Sequence, residues 1–347
     1  MYTKGFDNHS LATFRQKVGK ARHIAIISHT NADGDACGSL LGITLQLRKA
    51  ATNAASISPI LPNGCPHTFL WLPHASDILS GESQRELCDE AIAQADLLIC
   101  VDLNTPSRTD FLQDDIVKAS AFKVLIDHHH DPAEEHFDLV FSDPDISSAC
   151  ELVVWLSQAL WKTKHMDSEV ARCLYTGLRT DTGGFAFSCD QPSCWEAAAF
   201  LVDYDINPAD VQNRIVNTFT FDRMRFYGFA IAERLLIFKG QKTAIFYFSL
   251  EDQRKYRVSG EDMEGLVNYT LMMEEIEVGA LLREEPSRTK VSLRAKYDTD
   301  VRLIASQLGG GGHTKAAGAT VEKPLEETLL WVKQLLGISF TQPSLLA

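Results

Sequence analysis

The stretch His23 to Gly42, HIAIISHTNADGDACGSLLG, places one imidazole and two carboxylates, His29, Asp33 and Asp35, within seven residues. Further acids and imidazoles stand at Asp102, at Asp127, His128 and His129, and at Asp181. Singly, each has an ordinary explanation: an aspartate after a strand caps a helix or fills a turn, and a lone histidine satisfies hydrogen bonds. Together, His29, Asp33, Asp35, Asp102, His128 and Asp181 offer four carboxylates and two imidazoles. Such a group can converge only if a cation relieves the repulsion among its acids. Nitrogen and oxygen donors without thiolate favour Mn2+ or Mg2+ over a zinc–sulfur site. A bridging carboxylate can serve two ions about 3.5–4 Å apart, which acidify a water and stabilise a phosphoryl oxyanion. Asp102, alone at the end of its apolar run, is the expected bridge.

Convergence requires elements that deliver these residues to one place. HIAIIS reads as a fully buried strand, SISPILP as a second, LLICV as one ending in Asp102, and FKVLI as one ending in Asp127. Helical patterns lie at residues 10–21, with Ser10 as N-cap, at GSLLGITLQLRKA and at QRELCDEAIAQA. DPDISSACELVVWLSQAL starts another helix, with Ser148 and Glu151 in capping-box spacing. SEVARCLYTGLRTDTGGFAFS runs a helix into a glycine-broken loop containing Asp181. Alternating strands and helices predict an α/β fold with a doubly wound, mainly parallel sheet, whose ligands collect at the carboxyl ends of the strands. Three strand ends then carry the acids and histidines.

Pro208 to Leu236 reads as one long helix. Beyond it, TAIFYFSL, EVGALLREE and KVSLRAKY read as strands, and GLVNYTLMM and DVRLIASQL as helices. A final strand and the helix LEETLLWVKQLLG complete a smaller α+β domain. The expected organisation is a catalytic domain over residues 1–200, a helical linker over 201–221 and a second domain over 222–347. Its GGGGH run, Gly309 to His313, has two balanced readings: a flexible loop, or bare N–H groups forming an anion cradle with His313 and Lys315. Arg294, in the neighbouring strand pattern, reads as a surface charge or a second phosphate contact.

The 347-residue chain carries a net charge of −13 and no basic block, which argues against tracking long nucleic acids and for a short phosphorylated substrate. Its eight cysteines show no CxxC spacing and read as reduced, buried thiols. The N-terminal residues lack an apolar signal core and no run is long enough to span a bilayer, so the expected location is the cytoplasm, without membrane contact.

Read together, HTNADGDACGS, VDLN, DHHHD, GLRTDTGGF and GGGGHTKAAG, with KVSLRAK upstream of the last, resemble the ordered motifs of the DHH phosphoesterase family and its associated C-terminal domain. Within that family the two-domain length resembles the bifunctional oligoribonucleases (nanoRNases) and 3′-phosphoadenosine 5′-phosphate phosphatases. The resemblance implies two divalent ions, Mn2+ ahead of Mg2+. His29 and Asp33 would hold one ion and Asp35 and His128 the other, with Asp102 and Asp181 serving the pair. It implies that His129 faces the scissile phosphate, that Asp127 orients its neighbours, and that Arg294, Gly310, Gly311, Gly312 and His313 hold the nucleotide. The expected activity is hydrolysis of short oligoribonucleotides or 3′-phosphoadenosine 5′-phosphate, in a cleft between the domains. Gly184 stands where the family pattern has arginine. The rival readings are a phosphodiesterase for cyclic dinucleotides or their linear products, and a non-catalytic nucleotide-binding protein. A homodimer is compatible with the chain.

Overall fold

The structure, a computed structural model, describes residues 5–51, 53–162 and 164–338. The part of the predicted second domain beyond residue 338 therefore lies outside the described residues. Two compact units divide between Thr218 and Phe219.

In the first unit the chain runs through α1 (Asn8–Lys20), β1 (His23–Ile27), α2 (Gly34–Ala50), β2 (Ser56–Leu61), β3 (Leu79–Ser80), α3 (Arg85–Gln94) and β4 (Leu97–Val101). It continues through α4 (Gln113–Lys118), β5 (Phe122–Asp127), β6 (Leu139–Ser142), α5 (Ala149–Trp161), α6 (Ser168–Asp181), α7 (Pro192–Val202) and α8 (Pro208–Val216). The six strands form one sheet in the order β3-β2-β1-β4-β5-β6, every pair parallel. Alternation along the strands explains why they read as continuous apolar runs. Ile24 and Ile26 of β1 enter a core shared with α1, α2, α5 and α6, while Ala25 and Ile27 enter a second core with Cys88 and Ile92 of α3 and Ile116 of α4. Both faces are buried, as a parallel sheet requires. The predicted doubly wound sheet is present, and its strand order reverses between β1 and β4, the point where such sheets open a crevice.

Register brings the strand ends level. Ile27 pairs with Cys100, which pairs with Leu125, so the residues after β1, β4 and β5 leave the sheet at one edge. Close packing of α2 on α6 brings in the fourth motif. Gly34, Gly38 and Gly42 form a bare stripe at i, i+4 spacing, and a Cβ on Gly38 would stand 2.5 Å from the Cys173 carbonyl. The stripe meets Thr180, Gly177 and Leu174 in turn, an antiparallel crossing that carries the end of α6 to the start of α2. Gly38→Val should cost about 1–3 kcal/mol through overpacking, read as a lowered midpoint in thermal unfolding.

The second unit contains α9 (Phe221–Glu233), β7 (Leu235–Phe238), β8 (Thr243–Phe248), α10 (Leu250–Tyr256), β9 (Val278–Glu284) and β10 (Thr289–Ala295). It ends with α11 (Arg302–Gln307), β11 (Gly311–Gly312), β12 (Ala316–Val321) and α12 (Leu325–Leu335). Its sheet has the order β11-β12-β10-β9-β8-β7; β8 and β9 are parallel and the other neighbours antiparallel. The expected smaller α+β part is therefore present.

Four local expectations are corrected. The helix at residues 10–21 begins earlier: Asp7, not Ser10, is the N-cap, its carboxylate accepting the Ser10 N–H at 2.8 Å. Pro208 to Leu236 is two helices, because Asn217 ends α8 and Thr220 caps α9 by accepting from the Arg223 N–H at 3.1 Å. Leu235 and Leu236 belong to β7. GLVNYTLMM forms a 3-10 helix at Leu266–Met272, following Gly265 in the left-handed region. At Ser148 only half the capping box forms: its hydroxyl accepts from the Glu151 N–H, while the Glu151 carboxylate accepts from Ser147. No helix among the described residues is long and apolar enough to cross a membrane.

Candidate metal centre

The loop after β1 turns inward at His29. Its Nδ1 lies 2.8 Å from the Thr30 carbonyl, which can only accept, so Nδ1–H is held there and Nε2 is directed inward. That Nε2 faces Asp102 Oδ2 at 3.4 Å. The Thr30 N–H donates to the Arg108 carbonyl at 2.9 Å, tying this loop to the one after β4. Asp33 is the N-cap of α2, its Oδ1 accepting from the N–H groups of Asp35 and Ala36 at 3.0 Å each. The ordinary explanation for Asp33 is thus correct, and compatible with a ligand role through the second oxygen.

Asp35 is fully buried, and both its oxygens meet the start of α5: Oδ2 accepts from the Ala149 N–H at 2.6 Å and Oδ1 from the Cys150 N–H at 2.9 Å. A helix N-terminus is where a buried carboxylate is best tolerated. Asp102 has φ of 56°, a left-handed conformation that aspartate adopts more readily than most residues, and its N–H donates to the Ile126 carbonyl at 3.0 Å. Asp181 is the last residue of α6 rather than a loop residue.

These elements bring all six predicted ligands together. His128 Nε2 lies 3.8 Å from Asp35 Oδ2, 3.6 Å from Asp102 Oδ1 and 3.6 Å from Asp181 Oδ2. Three overlapping groups offer donor atoms within 4.8 Å of one another: His29, Asp33 and Asp102; Asp35, His128 and Asp181; and Asp102, His128 and His129. Two of those atoms, His29 Nε2 and Asp102 Oδ1, are buried without a hydrogen-bond partner. Buried polar atoms are rarely left so, and a cation is the partner this donor set fits.

The electrostatics agree. Burial pushes the Asp35 carboxyl well above the usual range, with the charges of Asp102 and Asp181 adding to it. Burial likewise pushes Asp181 up to about 7, against the pull of His128. Burial also opposes charge on Asp102, but His128 and His29 outweigh it and hold that carboxyl far below its ordinary value. At His128 burial disfavours the imidazolium, yet Asp102, Asp181 and Asp35 hold it well above the usual histidine range. Without a cation, the cluster keeps protons where a cation would sit.

That arrangement sets a pH dependence. Asp181 and His128 both bind protons more tightly when folded, so their stabilisation is lost as pH rises through their raised values. The protein in EDTA should melt lower at about pH 8 than at about pH 5, and Mn2+ or Mg2+ should raise the midpoint more at the higher pH, because the cation displaces protons. Thermal melts under the four conditions check this; stability in EDTA that increases with pH would contradict it.

Beside the cluster stands a second layer. Asp127 is fully buried, its Oδ1 accepting from His129 Nδ1 at 2.8 Å and its Oδ2 from the His129 N–H at 3.1 Å. His129 Nε2 then accepts from the guanidinium of Arg108 at 2.9 Å. Sequence reasoning missed Arg108, six residues beyond Asp102; its signal was an isolated cation closely following a candidate ligand. At Gly184, where the family pattern has arginine, a Cβ would collide with the Arg179 guanidinium, which donates to Gln212. Arg179 already fills that space.

The predicted substrate residues belong to the second unit. Arg294 lies on β10, opposite Ala316 of β12, and is half-buried rather than a surface charge; burial lowers its pKa while Glu264 opposes the shift. It lines a cavity with Arg283, Lys290, Ser292 and Glu264. Gly311 and Gly312 are not a free loop: they pair with Gly318 and Ala317 as β11. Gly312 has φ of 131°, and side chains at Gly310 or Gly312 would strike the β12 backbone, so glycine is required at both. His313 is exposed, its N–H donating to the Ala316 carbonyl at 2.7 Å.

Comparison with known proteins places this geometry. The DHH family, N-terminal domain, matches residues 23–178, and the DHHA1 domain matches residues 240–334. The bifunctional oligoribonuclease and PAP phosphatase NrnA of Thermus thermophilus is 29% identical over 313 residues, covering 86% of this chain and 84% of the relative. Its namesake from Bacillus subtilis is 24% identical, covering 86% of this chain and 88% of the relative. The crystal structure of an exopolyphosphatase-related protein from Bacteroides fragilis superposes with a TM-score of 0.92 at 30% identity, covering 96% of this chain and 97% of that one. RecJ from Thermus thermophilus, in complex with Mn2+, shares the fold at a TM-score of 0.56 and 12% identity, covering 96% of this chain and 55% of that one. The chain belongs to the DHH family, its DHH domain followed by a DHHA1 domain.

Proposed function

We propose that the protein is a metal-dependent phosphoesterase that hydrolyses short oligoribonucleotides and 3′-phosphoadenosine 5′-phosphate in the cytoplasm. The observation that carries the reading is the cluster itself: six nitrogen and oxygen donors at one sheet edge, with His29 Nε2 and Asp102 Oδ1 buried and unpartnered. The relatives named oligoribonuclease and PAP phosphatase support the substrate class. In this reading His29, Asp33, Asp35, Asp102, His128 and Asp181 would hold two divalent ions, Mn2+ in preference to Mg2+, with Asp102 serving both. Ions held there supply Lewis acidity toward a phosphoryl oxygen and the acidification of water.

The remaining chemistry belongs to the chain. The start of α5 fixes Asp35, and the Thr30 carbonyl fixes His29 with Nε2 directed inward. Asp127 holds the proton on His129 Nδ1, so His129 presents Nε2 to Arg108 and orients its guanidinium. Arg108 donates to the non-bridging oxygens of the scissile phosphate as charge builds there. His129 thus acts on the phosphate through Arg108. The first domain carries the catalysis, and Arg294, Gly310, Gly311, Gly312 and His313 of the second hold the nucleotide.

The test compares a 5′-phosphorylated dinucleotide, 3′-phosphoadenosine 5′-phosphate and cyclic di-adenylate, each with Mn2+, with Mg2+ and with EDTA. The reading expects turnover of the first two, fastest with Mn2+ and absent in EDTA. Turnover of the cyclic compound alone, or full activity in EDTA, would overturn it.

A further inference from the structure

The loop that follows Asp181 has a feature the metal chemistry does not use. Phe185 has φ of 64° and Ser188 φ of 50°, left-handed values; for the bulky Phe185 this is a genuine outlier. The strain is held by Thr182, whose hydroxyl accepts from the Phe185 N–H at 3.0 Å and whose carbonyl accepts from the N–H groups of Ala186 and Phe187 at 2.9 Å each. This backbone leaves the Phe187 side chain 53% exposed, although the residue is large and apolar.

Trp195, in the first turn of α7, is 51% exposed. It is nevertheless fixed: Nε1–H donates to the Cys189 carbonyl at 3.0 Å, and the ring stacks on Phe185 with centroids 5.0 Å apart and planes at 26°. Phe185 in turn leans on the buried Tyr175 at 6.2 Å. Trp195 is therefore the outer layer of an aromatic stack, covered by Phe185 and still half exposed.

The loop that carries Phe185 and Phe187 begins directly after Asp181. A Cβ on Gly183 would stand 2.5 Å from the Phe187 ring, so that ring rests directly on Gly183. Gly183 is two residues from Asp181, a span of at most about 7 Å of chain. Two exposed rings are far less than the roughly 800 Å² per partner of a stable protein interface, and they are rigid where a base would stack.

We propose that Trp195 and Phe187 form a platform on which a nucleobase of the substrate stacks, one sugar away from the scissile phosphate. The proposal rests on the reading of the protein as a nucleotide phosphoesterase and adds a base-binding subsite to it. Aromatic stacking accepts any base, so the platform favours nucleotides over other phosphate esters without selecting a sequence.

The probes are adenosine 5′-monophosphate and ribose 5-phosphate, titrated calorimetrically into the full chain with Mn2+. The nucleotide should bind about tenfold or more tightly than the sugar phosphate. Phe187→Ala and Trp195→Ala should each erode that advantage, Trp195→Phe should keep most of it, and ribose 5-phosphate should bind all variants alike. On a dinucleotide, KM should rise in the alanine variants by more than kcat falls. Since Trp195→Ala loses the bond to Cys189, Phe187→Ala keeps the test decisive if the former misfolds. Equal binding of the two probes by the unmodified protein, or a nucleotide advantage untouched in Phe187→Ala, would overturn the platform. So would a changed oligomeric state in that variant with nucleotide affinity intact, which would assign the rings to a second copy of the chain. A nucleotide advantage that depends on both rings, in a protein that hydrolyses no substrate of the panel, would uphold the platform while removing the catalytic reading.

Discussion

Asp102→Asn should reduce hydrolysis of a dinucleotide by about 10³-fold or more while leaving the thermal midpoint in EDTA close to that of the unmodified protein. Asparagine keeps the size of the side chain and tolerates the φ of 56° found at this position, so the backbone is not asked to move. It removes a carboxylate that faces both His29 and His128, at 3.4 Å and 3.6 Å. A neutral amide cannot offset the charge of two cations, so bound metal should fall with activity. In the metal-free protein Asp102 raises the pKa values of Asp35 and Asp181 but also sustains the charge on His128, so its loss relieves one repulsion while removing one attraction. Metal content by elemental analysis and turnover, measured on one preparation, check this. Undiminished turnover would remove Asp102 from the centre.

Arg108→Ala should lower kcat by about 10²–10³-fold with metal content unchanged. The guanidinium contacts His129 and no residue of the six-donor set through its side chain, apart from a long contact of 3.4 Å to the Asp102 carbonyl. The Arg108 carbonyl that accepts from Thr30 survives the substitution, so the His29 loop keeps its anchor. Lysine should rescue only part of the loss, because a single ammonium cannot reproduce the planar fork that reaches His129 and a phosphoryl oxygen together. Normal kcat in the alanine variant would return the charge-stabilising role to His129 alone.

The candidate cluster was legible because most of its donors stand at strand ends. Five of the six donors follow an apolar run that reads as a buried strand, and parallel register aligns those runs, whereas Asp181 ends α6 and arrives through the packing of α6 on α2. Arg108 escaped notice because its position depends on a non-repetitive 3-10 segment, Pro106–Leu112, whose geometry no periodicity announces. The anchoring of Asp35 was hidden for another reason: the two N–H groups that satisfy it belong to Ala149 and Cys150, more than a hundred residues away. The break between α8 and α9 was missed because the charged middle of the segment fits a helix on either side of Thr220. In the glycine run, composition could not separate a loop from β11, since both need small residues; the close approach to β12 decides it.

The most direct test is anomalous diffraction from crystals of the protein grown with Mn2+. Two peaks are predicted among His29, Asp33, Asp35, Asp102, His128 and Asp181, with Asp102 touching both. Manganese bound only elsewhere on the protein, with those six side chains free of it, would contradict the account.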